Sequence, residues 1–258
     1  MVRRMENAST AARMGDRDTT FNATQYANSY PDGVERHYWH RARNAVLVGA
    51  LDREGLRGAP LLEIGCGRGL VTQALRDAGF DCRGVEPAEA VPSARVAPFV
   101  RTGLTLEELP ESERSIVRCA LLLDVLEHVA EPVAFLSQIR AALPRLERLI
   151  VTVPARRELW SRWDEFYGHR CRYGRPSLCG ELRAARYAVR ECQYFFHGLY
   201  PVALAINVLG AVRSTEIAAP PPDSLLHRVV GRWFAMESRA LPGFVPGTSL
   251  LAIARPTR

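Results

Sequence analysis

Residues 61–69 read Leu-Leu-Glu-Ile-Gly-Cys-Gly-Arg-Gly, a short apolar strand running straight into three glycines spaced two apart. With no Cβ at Gly65, Gly67 and Gly69, a ligand is able to lie against bare backbone. Beyond them Val71, Ala74, Leu75 and Ala78 recur at helical spacing, and Gly79 offers a C-cap. Strand, glycine turn and helix in that order predict a nucleotide-binding corner. The alternating glycines differ from the G-x-G-x-x-G that seats a pyrophosphate on a helix N-terminus. Glu63, two residues before the first glycine, suits a ligand with an amino-acid end better than one with two phosphates.

Two further segments extend this corner into a sheet. Residues 81–86 read as a second strand ending in Glu86, about twenty residues past the glycines, where a βαβ unit places a ribose-binding carboxylate. Residues 116–123 are almost continuously apolar, as a central parallel strand buried on both faces requires. Asp124 follows at its carboxyl end, the edge where open α/β sheets hold ligands. Asp124, Glu127 and His128 stand at i, i+3 and i+4, so one helical turn gathers them at that rim.

With LLEIGCGRG at 61–69, GVEP at 84–87 and LLLDVLEHV at 121–129 in this order, the chain from about residue 35 onward resembles the class I S-adenosylmethionine-dependent methyltransferases. The resemblance implies an α/β fold: a Rossmann-like, seven-stranded, mostly parallel sheet with helices on both faces. It implies S-adenosylmethionine contacts from Glu63, Gly65, Cys66, Gly67 and Gly69, from Glu86 and Pro87, from Leu104 near the adenine, and from Asp124 and Val125. The family's usual polar partner of the adenine amine is not evident in this sequence.

Three readings of the Asp124 cluster stay open. His128 acts as a base or orienter, since its ordinary pKa near 6.5 lets it accept a proton at neutral pH. Alternatively, Asp124, Glu127 and His128 bind a divalent metal, as similar E-x-x-E-H motifs do in ubiquinone-biosynthesis and small-RNA 2′-O-methyltransferases; Asp124 stands where those families have the first Glu, and the metal is not the favoured option. In the third reading Glu127 and His128 only buttress the loop.

Residues 154–173, PARRELWSRWDEFYGHRCRY, are too polar for a core and too aromatic for a linker, which marks a substrate loop. Asp164, Gly168, His169, Arg172 and Tyr173, spaced D-x3-GH-x2-RY, resemble a stretch in a bacterial methyltransferase subgroup found beside surface-polysaccharide and specialised-metabolite genes. Asp164 and His169 are catalytic candidates, with His169 a second base or a further metal ligand. Trp160 and Tyr173, with Tyr30 on the Pro-Asp-Gly turn, are candidates for the acceptor side. A purely organisational role, Arg172 pairing with Asp164, is the competing reading.

Strands six and seven are expected at 189–197 and 247–255, with a helical insertion at about 199–240 broken by Pro220, Pro221 and Pro222. Leu225, Leu226, Val229, Val230 and Trp233 give its second helix one apolar face, expected to cap the pocket rather than form a homodimer or rest on a lipid. Residues 1–20 are polar and expected to be disordered, leaving 21–258 as one domain.

The charge of +6 comes from arginine alone, since the chain has no lysine, and no basic tract interleaved with aromatics points to nucleic acid. No apolar run is long enough to span a bilayer, although 194–212 leaves room for a shallow membrane contact. Six cysteines without a C-x-x-C pair, and no secretory h-region, predict reduced thiols in a cytoplasmic protein. The sequence points to methylation of a small molecule or glycan, most directly O-methylation in specialised-metabolite or surface-polysaccharide biosynthesis. N-methylation, a different use of the same cofactor, and a cofactor-binding partner protein without turnover are the alternatives.

Overall fold

The computed structural model describes residues 23–210 and 214–257; the segment 1–20, expected to be disordered, lies outside the described residues. In chain order the elements are α1 (Ala23–Ser29), α2 (Tyr38–Arg53), β1 (Leu61–Ile64), α3 (Leu70–Asp77), β2 (Cys82–Glu86), β3 (Val100–Thr102), α4 (Glu111–Arg114) and β4 (Cys119–Leu123). They continue with α5 (Pro132–Ala142), β5 (Arg148–Pro154), α6 (Arg162–Phe166), α7 (Arg175–Ala184), β6 (Tyr187–Phe195), α8 (Leu199–Val208), α9 (Leu225–Ala240) and β7 (Ser249–Pro256).

The seven strands form one sheet in the order β3-β2-β1-β4-β5-β7-β6. All pairings from β3 to β5 are parallel, and β7 runs antiparallel to both β5 and β6. β1 lies between β2 and β4, in register Glu63 with Gly84 and Glu63 with Leu121. The chain therefore leaves β1 toward one edge and returns to its other side, which opens a crevice at the carboxyl ends of β1 and β4.

Each face of the sheet packs its own layer. Ala120 and Leu122 of β4 join a cluster with Leu136 and Ile139 of α5 and Leu178 and Leu182 of α7. Cys119, Leu121 and Leu123 turn the other way, toward Ala42, Val46 and Leu47 of α2 and Val71 and Leu75 of α3. This period-two alternation between two apolar layers explains why the sequence of β4 is uniformly apolar. The six cysteines are free thiols. Among the described residues no helix is long and apolar enough to cross a membrane.

Several boundaries differ from expectation. β4 opens at Cys119 rather than at residue 116, because Ile116 is 40% exposed and follows α4 in a turn, while the Cys119 amide donates to Pro60. β6 begins at Tyr187 and carries an irregularity between Val189 and Glu191. The insertion departs more. α9 packs on α2 through Val230 and Phe234, and the apolar face expected over the pocket, Leu225, Leu226, Val229 and Trp233, is turned to solvent. The cap comes instead from α8, whose Leu199, Ala203 and Ile206 recur at helical spacing on the cavity side.

Candidate active site

A cavity of about 790 Å³ opens at the carboxyl ends of β1 and β4. Glu63, Gly65, Cys66, Gly67, Glu86, Pro87, Asp124, Val125, Tyr30, His128 and His169 line it. Thr105 and Leu106 also line it, whereas Leu104 packs against the core, so the loop after β3 presents the next two residues. Gly69 is also off the cavity. It sits in the left-handed region (φ 78°) at the start of α3, where a Cβ would meet Val100 at 2.9 Å and Val96 at 3.0 Å, so its smallness serves helix–strand packing.

Gly67 serves the cavity directly. Its φ is 55°, a Cβ there would collide with the Tyr30 hydroxyl, and its amide donates to Glu86 Oε2 at 2.7 Å. The Ala88 amide donates to Glu86 Oε1 at 3.0 Å, and the Tyr26 hydroxyl also bonds this carboxylate. Burial raises the Glu86 pKa, and those backbone donors oppose it. Glu63 is buried beneath the turn, accepts from the Thr72 hydroxyl at 2.5 Å, and is pushed by burial up to about 7.

Asp124 adopts a left-handed φ of 58° at the end of β4, where its amide donates to Thr152 at 2.9 Å. That turn aims its carboxylate at Arg43, whose Nη1 donates to Oδ2 at 2.8 Å. Arg43 is buried on α2 and stacks on Trp39 at 4.5 Å from the ring centroid. The sequence reading missed Arg43, although an arginine between the core residues Ala42 and Val46 of one helix is the signal that could have found it.

The second half of the cavity is built on the loop after β5. Asp164 is fully buried and does not line the cavity. Its Oδ1 accepts from Arg172 Nε and meets His169 Nδ1, both at 2.8 Å, and its Oδ2 accepts from the Ser161 amide at 2.9 Å. Burial opposes its ionisation, but His169 and Arg172 prevail and hold its pKa at about 2. Since an ionised carboxylate only accepts, His169 donates to Asp164 from Nδ1, and Nε2 is the ring nitrogen that Asp164 does not engage. The His128 and His169 rings meet edge to face with centroids 4.8 Å apart. Burial first, and His169 second, lower the His128 pKa to about 4.

Glu127 is 1% exposed, and neither carboxylate oxygen has a hydrogen-bond partner among the described residues. Burial, then Asp124, raises its pKa well above the usual carboxylate range. One ligand atom each from Glu127, His128 and His169 falls within 4.8 Å of the others. The disfavoured metal option weighed from the sequence, Asp124 with Glu127 and His128, is altered, because the left-handed turn at Asp124 gives that carboxylate to Arg43, and His169 stands beside Glu127 and His128 instead.

Two acceptor-side expectations are corrected. Tyr173 is 2% exposed inside the core, with its hydroxyl bonded to the Leu126 carbonyl at 3.4 Å. Trp160 is 36% exposed, off the cavity, and its indole N–H reaches Glu165 at 3.4 Å. Trp163 and Tyr167 of the same loop line the cavity in their stead.

A family model described as a methyltransferase domain matches residues 37–191. The ubiquinone biosynthesis O-methyltransferase of Azorhizobium caulinodans is 37% identical over 116 residues, 42% of this chain and 42% of that protein. The chain thus spans less than half the length of the curated relatives it matches. Among solved structures, a Haloferax volcanii methyltransferase in complex with the Trm112 methyltransferase activator superposes with a TM-score of 0.54 at 18% identity, covering 91% of this chain and 96% of that one. The Burkholderia thailandensis 1,6-didemethyltoxoflavin-N1-methyltransferase, solved with its substrate and S-adenosylhomocysteine, gives 0.53 at 20% identity, covering 91% and 87%. The glycine corner, the Glu86 strand and the switch point between β1 and β4 lie within the matched span, and the chain belongs to the methyltransferase domain family, on the class I fold of the S-adenosylmethionine-dependent enzymes.

Proposed function

We propose that the protein transfers the methyl group of S-adenosylmethionine to an oxygen of a small-molecule or sugar acceptor. The observation that carries this reading is a single cavity lined both by a glycine corner with a buried carboxylate, Gly67 and Glu86, and by a histidine pair, His128 and His169. The name of the Azorhizobium caulinodans relative supports oxygen as the acceptor atom.

The cofactor fits this chain's groups. The Glu86 carboxylate lines the cavity beside the Gly67 turn and is an acceptor of the kind that ribose hydroxyls require, and Arg43 with Asp124 offers one charge of each sign to an amino-acid end. When bound, S-adenosylmethionine supplies an electrophilic methyl carbon on a sulfonium. The protein's part is alignment of the acceptor and removal of its proton. His169, oriented by Asp164, takes that proton at Nε2, and the ionised Asp164 steadies the resulting imidazolium. His128, lowered to about 4, stays neutral beside it and does not compete for the proton.

Glu127 favours a second, metal-assisted reading. A buried carboxylate with two unpaired oxygens is costly, and a divalent cation held by Glu127, His128 and His169 would satisfy it. Such an ion supplies a Lewis acid that makes an acceptor hydroxyl easier to ionise. The test is incubation with methyl-labelled S-adenosylmethionine and a panel of phenols, sugars and amines, with and without EDTA, read by mass spectrometry. A product carrying one added methyl on oxygen supports the proposal, and loss of that product with EDTA selects the metal reading. Methyl on nitrogen alone, or no labelled product across the panel, contradicts it.

A further inference from the structure

α9 buries one side and leaves another bare. Val230, Phe234 and Glu237 face inward, while Leu225, Leu226, Val229, Trp233 and Met236 stay 53–68% exposed. At 3.6 residues per turn those five fall within a stripe about 100° wide. Arg228, Arg232 and Arg239, all exposed, run along one flank of it. The acid of the helix, Glu237, is turned inward to accept from the Gly198 amide at 3.0 Å, so the outer surface of α9 carries arginine and no carboxylate.

The stripe is continuous with the cavity mouth. The Trp233 indole rests where a Cβ on Gly198 would fall, and Gly198 caps α8. On α8, Val202 is both 56% exposed and a lining residue of the cavity, and Val208 and Leu209 beyond it are 78% and 81% exposed.

We propose that α9 and the outer side of α8 dock on an anionic lipid bilayer. A helix about 24 Å long with an apolar stripe, a tryptophan and an arginine flank has the make-up of an element lying in the interface plane. The arginines reach lipid phosphates, and the apolar side chains enter the boundary below. A second copy of the chain fits worse, because pairing the stripe with itself brings like-charged arginine rows together with no carboxylate between them. Docking sets the mouth beside Val202 against the lipid. Given the methyl-transfer reading, on which this last step rests, the acceptor is a molecule dissolved in the bilayer.

The test is co-sedimentation of the full chain, without cofactor, with vesicles of phosphatidylcholine alone or mixed with phosphatidylglycerol, so the outcome does not depend on whether the protein methylates anything. Binding to the anionic vesicles, weakened by salt and absent from neutral ones, is expected. Leu226→Ser with Met236→Ser, and separately Arg228→Gln with Arg232→Gln, should each reduce the bound fraction roughly tenfold, with unchanged thermal melting as the folding control. Absence of wild-type binding to anionic vesicles overturns the proposal. So does a dimer by light scattering that the apolar double variant dissociates, since a second copy then covers the stripe.

Discussion

Asp164 reads in the sequence as a catalytic carboxylate, and the structure buries it away from the cavity, which makes it a positioning residue in the proposed mechanism. It is enclosed by Arg172, Ser161 and His169, and its effect on the cavity passes through the imidazole it orients. Asp164→Asn should therefore lower kcat on the order of a hundredfold while leaving S-adenosylhomocysteine affinity within error, as measured by steady-state kinetics and calorimetry. Normal turnover would return the loop to a purely organisational role. Asp164 and His169, five residues apart in the sequence, meet at 2.8 Å in the structure, but spacing says nothing about which partner faces a cavity. For the same reason Tyr173 and Trp160 were misplaced, since an aromatic side chain serves a core or a rim equally well until packing decides. Asp124 was placed at the right strand end. The left-handed φ that gives it to Arg43 is a backbone property for which an aspartate offers only a weak sequence cue.

At the scale of elements, α2 is tied to a titrating cap. His37 accepts from the Trp39 amide through Nδ1 at 3.3 Å, and burial, then His227, lowers its pKa to about 4 from 6.5. A base depressed in the folded state binds fewer protons than in the unfolded chain, so its contribution to stability is intact above pH 6.5 and is lost as pH falls toward 4. His37→Asn keeps an N-cap acceptor and removes the titration. The melting temperature of this variant should fall less than that of the wild type between those two pH values in calorimetry, and parallel curves would contradict the assignment. The elements themselves were legible where local signals agree: β1, α3, β2 and β4 follow from apolar runs, glycine punctuation and helical period. α9 was found as an amphipathic helix but its outlook was misjudged. Periodicity identifies an apolar face without naming what covers it, and this helix has two, one against α2 and one bare.

For the whole molecule, the strand order is what unites the site, because the switch between β1 and β4 brings Gly67, Glu86 and Asp124 to one rim across a span of sequence that no local pattern connects. The side of the cavity lined by Gly67 and Glu86 was legible as a cavity wall because its motifs are contiguous with their strands. The side proposed for the acceptor was only partly legible, because it is assembled from α2, the loop after β5 and α8, which meet only in three dimensions. In the proposed function this rim binds S-adenosylmethionine through Glu86, and the decisive measurement is calorimetric titration of wild type and Glu86→Ala with S-adenosylhomocysteine. Saturable one-site binding by the wild type is expected, with a loss of about 1.5 to 3 kcal/mol in the variant, as for hydrogen bonds to a charged group. No binding by the wild type, or equal affinity in the two proteins, would contradict it.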